Sequence, residues 1–176
     1  MIQAAVKSTT ALEDFMKSFA TYNAWANRTL VNWLKTKPAD AMSREIASSF
    51  PSIKETVVHI WDTQRFWLSV LQQKPAPVSF RMEGFHGSLE DAFEGIVQQS
   101  DEFANYIDSL TDASLQEVVS FDSPWVAGKA PRTDYLLQVF NHSTYHRGQV
   151  VTIGRNVGLT DAPMTDYNFY LLYGKQ

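Results

Sequence analysis

Apolar residues recur at threes and fours in four separate stretches of this chain, each several helical turns long, and that pattern confines it to a helical architecture. In the first stretch, about 12–36, Phe15, Phe19, Tyr22, Ala26, Leu30 and Trp33 share one face. Lys37-Pro38 ends it, because proline cannot continue the helical hydrogen bonding. After a connection through Met42 and Ile46, Ser52 stands as an N-cap with Glu55 three residues on, the spacing of a capping box. The second helix then runs to about Gln72, with Ile53, Thr56, Val57, Ile60, Phe66 or Trp67, and Val70 inward. Lys74-Pro75-Ala76-Pro77 stops it.

Ser88, followed by Asp91, caps a third helix over about 89–109, with Leu89, Phe93, Ile96, Val97, Ser100, Phe103 and Ile107 on one side. Between 111 and 133 the period breaks. Val118, Val119 and Phe121 read as a short extended piece, and Pro124, Gly128 and Pro131 as loop. Thr133 reads as the cap of a fourth helix, about 134–156, whose broad face carries Tyr135, Leu136, Val139, His142, His146, Gln149, Val150 and Ile153. The tail from Asp166 to Tyr173 is too aromatic to stay free in water, and is expected to cover one end of the helices or to line a partner surface.

An amphipathic helix must bury its apolar stripe, so four of them with non-helical connectors predict an all-α four-helix bundle with long connections. Neither an internal repeat nor a low-complexity tract divides the 176 residues, which suit a single bundle domain over 1–176. Aromatics make up 13% of the chain, enough to serve the core and to line a cavity as well. The net charge is −4 and the fifteen Lys and Arg residues are scattered, so no footprint for nucleic acid is expected. The chain has no cysteine, which excludes disulfides, thiolate metal ligands and a cysteine nucleophile. No signal-like apolar segment or membrane-length run is legible, and the expectation is a soluble cytoplasmic protein.

Chemistry concentrates in the histidines. His142 and His146 lie four apart and therefore face the same way, one helical turn from each other. His59 sits mid-way along the second helix. If the second and fourth helices are neighbours, three imidazoles can meet one divalent ion, for which zinc, nickel, cobalt and iron(II) are all suitable. The competing reading makes them hydrogen-bonded core or surface groups. His142 is followed by Ser143, so the His-Glu-x-x-His motif with its built-in glutamate base is absent.

Three pieces together carry a resemblance: Tyr22-Asn23-Ala24-Trp25-Ala26-Asn27 with Leu30, His59 with the downstream Trp67, and Asn141-His142-Ser143-Thr144-Tyr145-His146-Arg147-Gly148-Gln149. The chain resembles the DinB/YfiT-like superfamily of metal-binding four-helix bundles over nearly its whole length. The resemblance implies His59, His142 and His146 as the metal ligands, nickel or zinc as the usual ion, and frequent homodimers. Relatives include S-transferases and isomerases that use low-molecular-weight thiols such as bacillithiol or mycothiol.

The leading functional expectation is thus a divalent-metal-dependent enzyme acting on a small molecule, by thiol-dependent S-transfer or by hydrolysis. The alternative is a non-catalytic bundle in which the ion staples the helices or senses a ligand. Tyr22 and Asn23 are candidates to reach the cavity from the first helix, or else to make core packing and an interhelical bond. Gln149 could hydrogen-bond a ligand or its own neighbours. Asp62, three residues after His59, reads as a partner of that ring or as a solvated acid on the helix flank. Arg147 points away from the pair and reads as an anchor or a dimer contact. His86 reads as an exposed loop residue that could swing towards the ion, and Trp125 as a lid or a plug.

Overall fold

The computed structural model describes residues 9–124 and 126–175, so the expectation for Trp125 lies outside the described residues. Seven helices and one hairpin follow in the order α1 (Ala11–Leu34), α2 (Ile53–Leu71), α3 (Phe80–Glu83), α4 (Leu89–Asp108), α5 (Asp112–Gln116), β1 (Val118–Asp122), β2 (Ala127–Pro131), α6 (Arg132–Asn156) and α7 (Tyr167–Phe169). A 3-10 turn at Ala39–Ser43 and a π turn at Tyr170–Gly174 complete the chain. The four long helices α1, α2, α4 and α6 are the bundle that the periodicity predicts. Among the described residues no helix is long and apolar enough to cross a membrane.

Local chemistry starts these helices. Thr10 and Glu13 form a full capping box on α1, and Glu13 Oε1 also accepts the Asp112 N–H at 2.6 Å, tying α5 to the start of α1. Ser88 and Asp91 form the second box, on α4. On α2 only half of the expected box is made: Ser52 accepts from Glu55 N at 3.2 Å, while the Glu55 side chain turns towards a cleft instead. Thr133 is not the cap of α6. That helix begins at Arg132 directly from β2, with the Arg132 N–H donating to Glu117 O at 2.9 Å and no side-chain cap.

In the bundle, α1 packs along α4 and α6, and α2 packs along the same two helices, so α1 and α2 stand diagonally opposed. This arrangement makes α2 and α6 neighbours. Among the described residues two large apolar clusters fill the interior, with a smaller one of Tyr22, Ala26 and Tyr170 under the tail. Of the large pair, one holds Leu30, Leu34, Met42, Ile53, Ile60, Phe93 and Ile153, and the other Met16, Leu71, Phe103, Ile107, Leu136 and Phe140. Full burial of each such side chain contributes roughly 1.5–3 kcal/mol. Between the clusters lies a buried polar layer of Asn23, Asn27, Gln64, Ser100 and Arg147.

Several expected positions shift. Phe15 is 47% exposed rather than inward, and rests against Phe19 with ring centroids 4.8 Å apart. Phe66 and Trp67 are both half-buried, because the hairpin covers them through Phe121, 5.2 Å from Trp67. The stretch around Gly128, expected as loop, is β2, paired antiparallel to β1 with Phe121 opposite Gly128. A Cβ at Gly128 would lie 2.8 Å from the Tyr135 hydroxyl, so a larger residue there would push that side chain aside. The tail does cover the bundle: Tyr170 is buried against Tyr22 and Trp25, while Leu171, Leu172 and Tyr173 stay exposed.

Candidate metal centre

Helix α2 carries His59 to the groove it shares with α6, where His142 and His146 face it from successive turns. One ring nitrogen from each of the three lies within 4.8 Å of the others. The tightest pair is His142 Nε2 and His59 Nε2, at 2.9 Å. Two nitrogens bound to one ion at about 2.0–2.1 Å stand roughly 3 Å apart, so this donor set fits a divalent ion. His146 is buried and the other two rings are half-buried.

The surroundings keep these rings neutral. Burial, followed by the charges of His146, His142 and Arg81, lowers the pKa of His59 from 6.5 to about 3. Burial and then His146 lower His142 to about 4. Burial also lowers His146, opposed by a hydrogen bond to Gln149. Near pH 7 all three therefore present lone pairs, and a metal displaces no proton from them. Thr63, one turn after His59, brings its hydroxyl to 3.2 Å from His142 Nε2. Phe50, from the connector before α2, stacks on the His59 ring at a centroid distance of 4.0 Å.

The sequence profile of the DinB family matches residues 8–173. The chain belongs to the DinB family. Protein DinB of Bacillus subtilis (strain 168) is 26% identical over 170 residues, covering 93% of this chain and 98% of that protein. A crystal structure of a DinB-like protein from Bacillus cereus ATCC 10987 matches with a TM-score of 0.62 at 22% identity, over 82% of this chain and 91% of that one. That likeness shows a common fold.

The remaining candidates of this DinB-family bundle sort by distance from the rings. Gln149 meets His146 itself: His146 Nδ1 lies 2.6 Å from Gln149 Oε1, and Gln149 Nε2 donates to Ser49 Oγ at 3.0 Å. Tyr22 and Asn23 are not brought to the imidazoles. Their polar atoms belong to the buried layer, where Arg147 donates to Asn23 Oδ1 and Asn27 Oδ1 at 2.9 Å each and to the Tyr22 hydroxyl at 3.3 Å. Asn23 Nδ2 donates in turn to Gln64 Oε1 at 2.9 Å. Arg147 is an interior anchor, 2% exposed, and burial among these neutral partners lowers its pKa.

Asp62 is neither a partner of His59 nor a solvated acid. It is buried, accepting from Ser79 Oγ at 2.6 Å and from Arg65 at 3.2 Å, and so clamps α3 to α2. His86 is exposed in its loop, with Nε2 3.1 Å from Glu83 O. Beside the cluster opens a cleft of about 520 Å³, lined by His59, Phe50, Asp62, Phe80, Arg81 and Phe85 among others. The sequence places Thr63 on the face around His59, and the structure brings it to the site; Phe50 and Arg81 were missed. Thr63 is legible from its spacing of four from His59 on the same helix, whereas Phe50 and Arg81 carry no such signal.

Proposed function

We propose that this DinB-family bundle is a divalent-metal-dependent enzyme that acts on a small molecule held in the cleft beside His59, with an external low-molecular-weight thiol as co-substrate. The observation that carries this reading is the convergence of three neutral imidazoles at the edge of an aromatic-lined cleft. His59, His142 and His146 hold the ion, for which nickel and zinc are the candidates. When bound, the ion supplies Lewis acidity, acidifying a thiol or a water and polarising a carbonyl.

The chain's own residues bind and orient. Gln149 fixes the His146 ring, and Phe50 shields one face of His59 from water. Thr63 offers a hydroxyl to whatever meets His142 Nε2. Among the described residues no carboxylate bonds to any of the three rings, so acidification of the nucleophile, thiol or water, would fall to the ion itself. The absence of cysteine makes the thiol an outside one. A structural staple would bury its ion under a fourth protein ligand. Three converging donors, two of them half-exposed, support chemistry instead.

A homodimer, as the family resemblance implies, would cover the exposed Leu171, Leu172 and Tyr173. Metal content and a cobalt spectrum test the central reading. His142→Ala is expected to lose stoichiometric metal on purification, and retention of one ion per chain would sink the ligand assignment. In the cobalt-substituted protein, a low-molecular-weight thiol is expected to change the visible spectrum. An unchanged spectrum across thiols and pH removes the thiol reading and leaves hydrolysis.

A further inference from the structure

The cleft beside the imidazoles has a charge pattern that metal binding does not use. Of its two cations, Lys54 is committed: Nζ donates to Gly87 O at 2.9 Å and lies 5.4 Å from the centre of the Phe85 ring. Arg81 is uncommitted. Its backbone N–H meets Ser79 Oγ at 3.1 Å, and among the described residues its guanidinium has no hydrogen bond or ion pair. It lines the same cleft as His59. Three acids share the lining, and among the described residues no ion pair joins any of them to Arg81. Asp62 is spent on Ser79 and Arg65, and Glu45 and Glu55 are exposed, as is Arg81 at the rim.

The segment bearing Arg81 is held in place although its helix, α3, is one turn long. Arg65 lies 4.1 Å above the Phe80 ring, and Trp61 packs edge-on against Phe80 and Phe85 at 4.8 and 5.7 Å. The Asp62–Ser79 bond pins its start. The backbone that carries Arg81 is therefore held at the rim of the cleft, and the fork of donors on its guanidinium matches a carboxylate in two parallel bonds. Next to it stand three phenyl rings with no polar atom to satisfy, those of Phe50, Phe80 and Phe85.

We propose that Arg81 anchors a carboxylate on a small molecule whose aryl or aliphatic body lies against Phe50, Phe80 and Phe85. The substrate class is then a compact organic anion with an apolar body. This rests on the proposed function only in placing the substrate's reacting end at the imidazoles, since the cleft and its cation need no ion.

Benzoate, benzylamine and benzyl alcohol share a ring and differ in charge, which makes them suitable probes. Each is titrated into the full-length protein without metal, followed by calorimetry and by the fluorescence of the tryptophans, Trp61 among them. Benzoate is expected to bind saturably and at least tenfold more tightly than benzylamine. Arg81→Gln is expected to weaken benzoate at least tenfold, about 1.4 kcal/mol, and to leave benzyl alcohol unchanged. Arg81→Lys should recover part of the loss. Benzoate affinity that ignores Arg81→Gln, benzylamine binding as tightly, or no saturable benzoate binding overturns the proposal. Metal content of the same preparations separates the two readings. Arg81-dependent benzoate binding by a chain that takes up no divalent ion leaves this inference standing and defeats the metal reading, and normal metal loading with indifferent Arg81 does the reverse.

Discussion

An amide oxygen can only accept, so the 2.6 Å contact between His146 Nδ1 and Gln149 Oε1 puts the proton on Nδ1 and turns the Nε2 lone pair outward. Gln149 is itself held by Ser49, the residue before the Phe50 that stacks on His59. The connector thus reaches two of the three rings, His146 through this amide and His59 through Phe50. Partners of this kind typically contribute 10–100-fold in metal affinity. Gln149→Leu is expected to lose about that factor in a competition titration with a chromophoric chelator while melting close to wild type. Unchanged affinity would show that packing alone orients His146. The histidines themselves were legible in the sequence, because their identity and a spacing of four fix both chemistry and direction. Phe50 and Arg81 were not, since each sits in a connector whose approach to His59 is set only by tertiary packing.

At the scale of elements, the contact between α4 and α2 decides how the cleft is shaped. A Cβ placed on Gly95 of α4 would come 2.4 Å from the Trp61 ring, and the same ring supports Phe80 and Phe85. Gly95→Ala gains roughly 0.8–1 kcal/mol of helix propensity. It must also displace an indole wedged under α3, and overpacking of this sort costs about 1–3 kcal/mol. The expected net result is a lower melting temperature and a shifted tryptophan emission maximum. A variant more stable than wild type with unchanged emission would contradict the packing described. Caps were readable where the polar pair is local, as with Ser88 and Asp91. The start of α6 was not, because the Arg132 N–H finds its acceptor in Glu117, across the hairpin. Strand β2, Ala-Gly-Lys-Ala-Pro, has too little apolar alternation to declare itself, and pairing with β1 makes it a strand.

For the whole molecule, the depressed histidine pKa values set a pH dependence with a definite sign. Folding holds His59 at about 3 and His142 at about 4, against 6.5 for a solvated imidazole, so between these limits the unfolded chain binds protons that the folded chain refuses. The contribution is fully present above about pH 6.5. It is lost as the pH falls through the folded values. The melting temperature of the metal-free protein is expected to drop steadily from pH 7 to pH 4, with a shallower drop in His142→Asn. Equal slopes for the two would mean that the ring is not desolvated. Four helices were readable from their period, whereas their diagonal order was not, because periodicity shows which face is apolar and never against which neighbour it lies.

That order gives the Arg147 layer a further meaning. The guanidinium grips α1 through Asn23, Asn27 and Tyr22 at the same height as the imidazoles, and Gln64 and Ser100 extend the grip to α2 and α4. Apolar side chains can slide past one another as helices roll, but a belt of directional bonds admits one rotation per helix. The bundle behaves as two oily caps threaded on a locked collar. Either cap can drift in sequence, or be rebuilt with other hydrocarbons, while the collar keeps the three histidines in register.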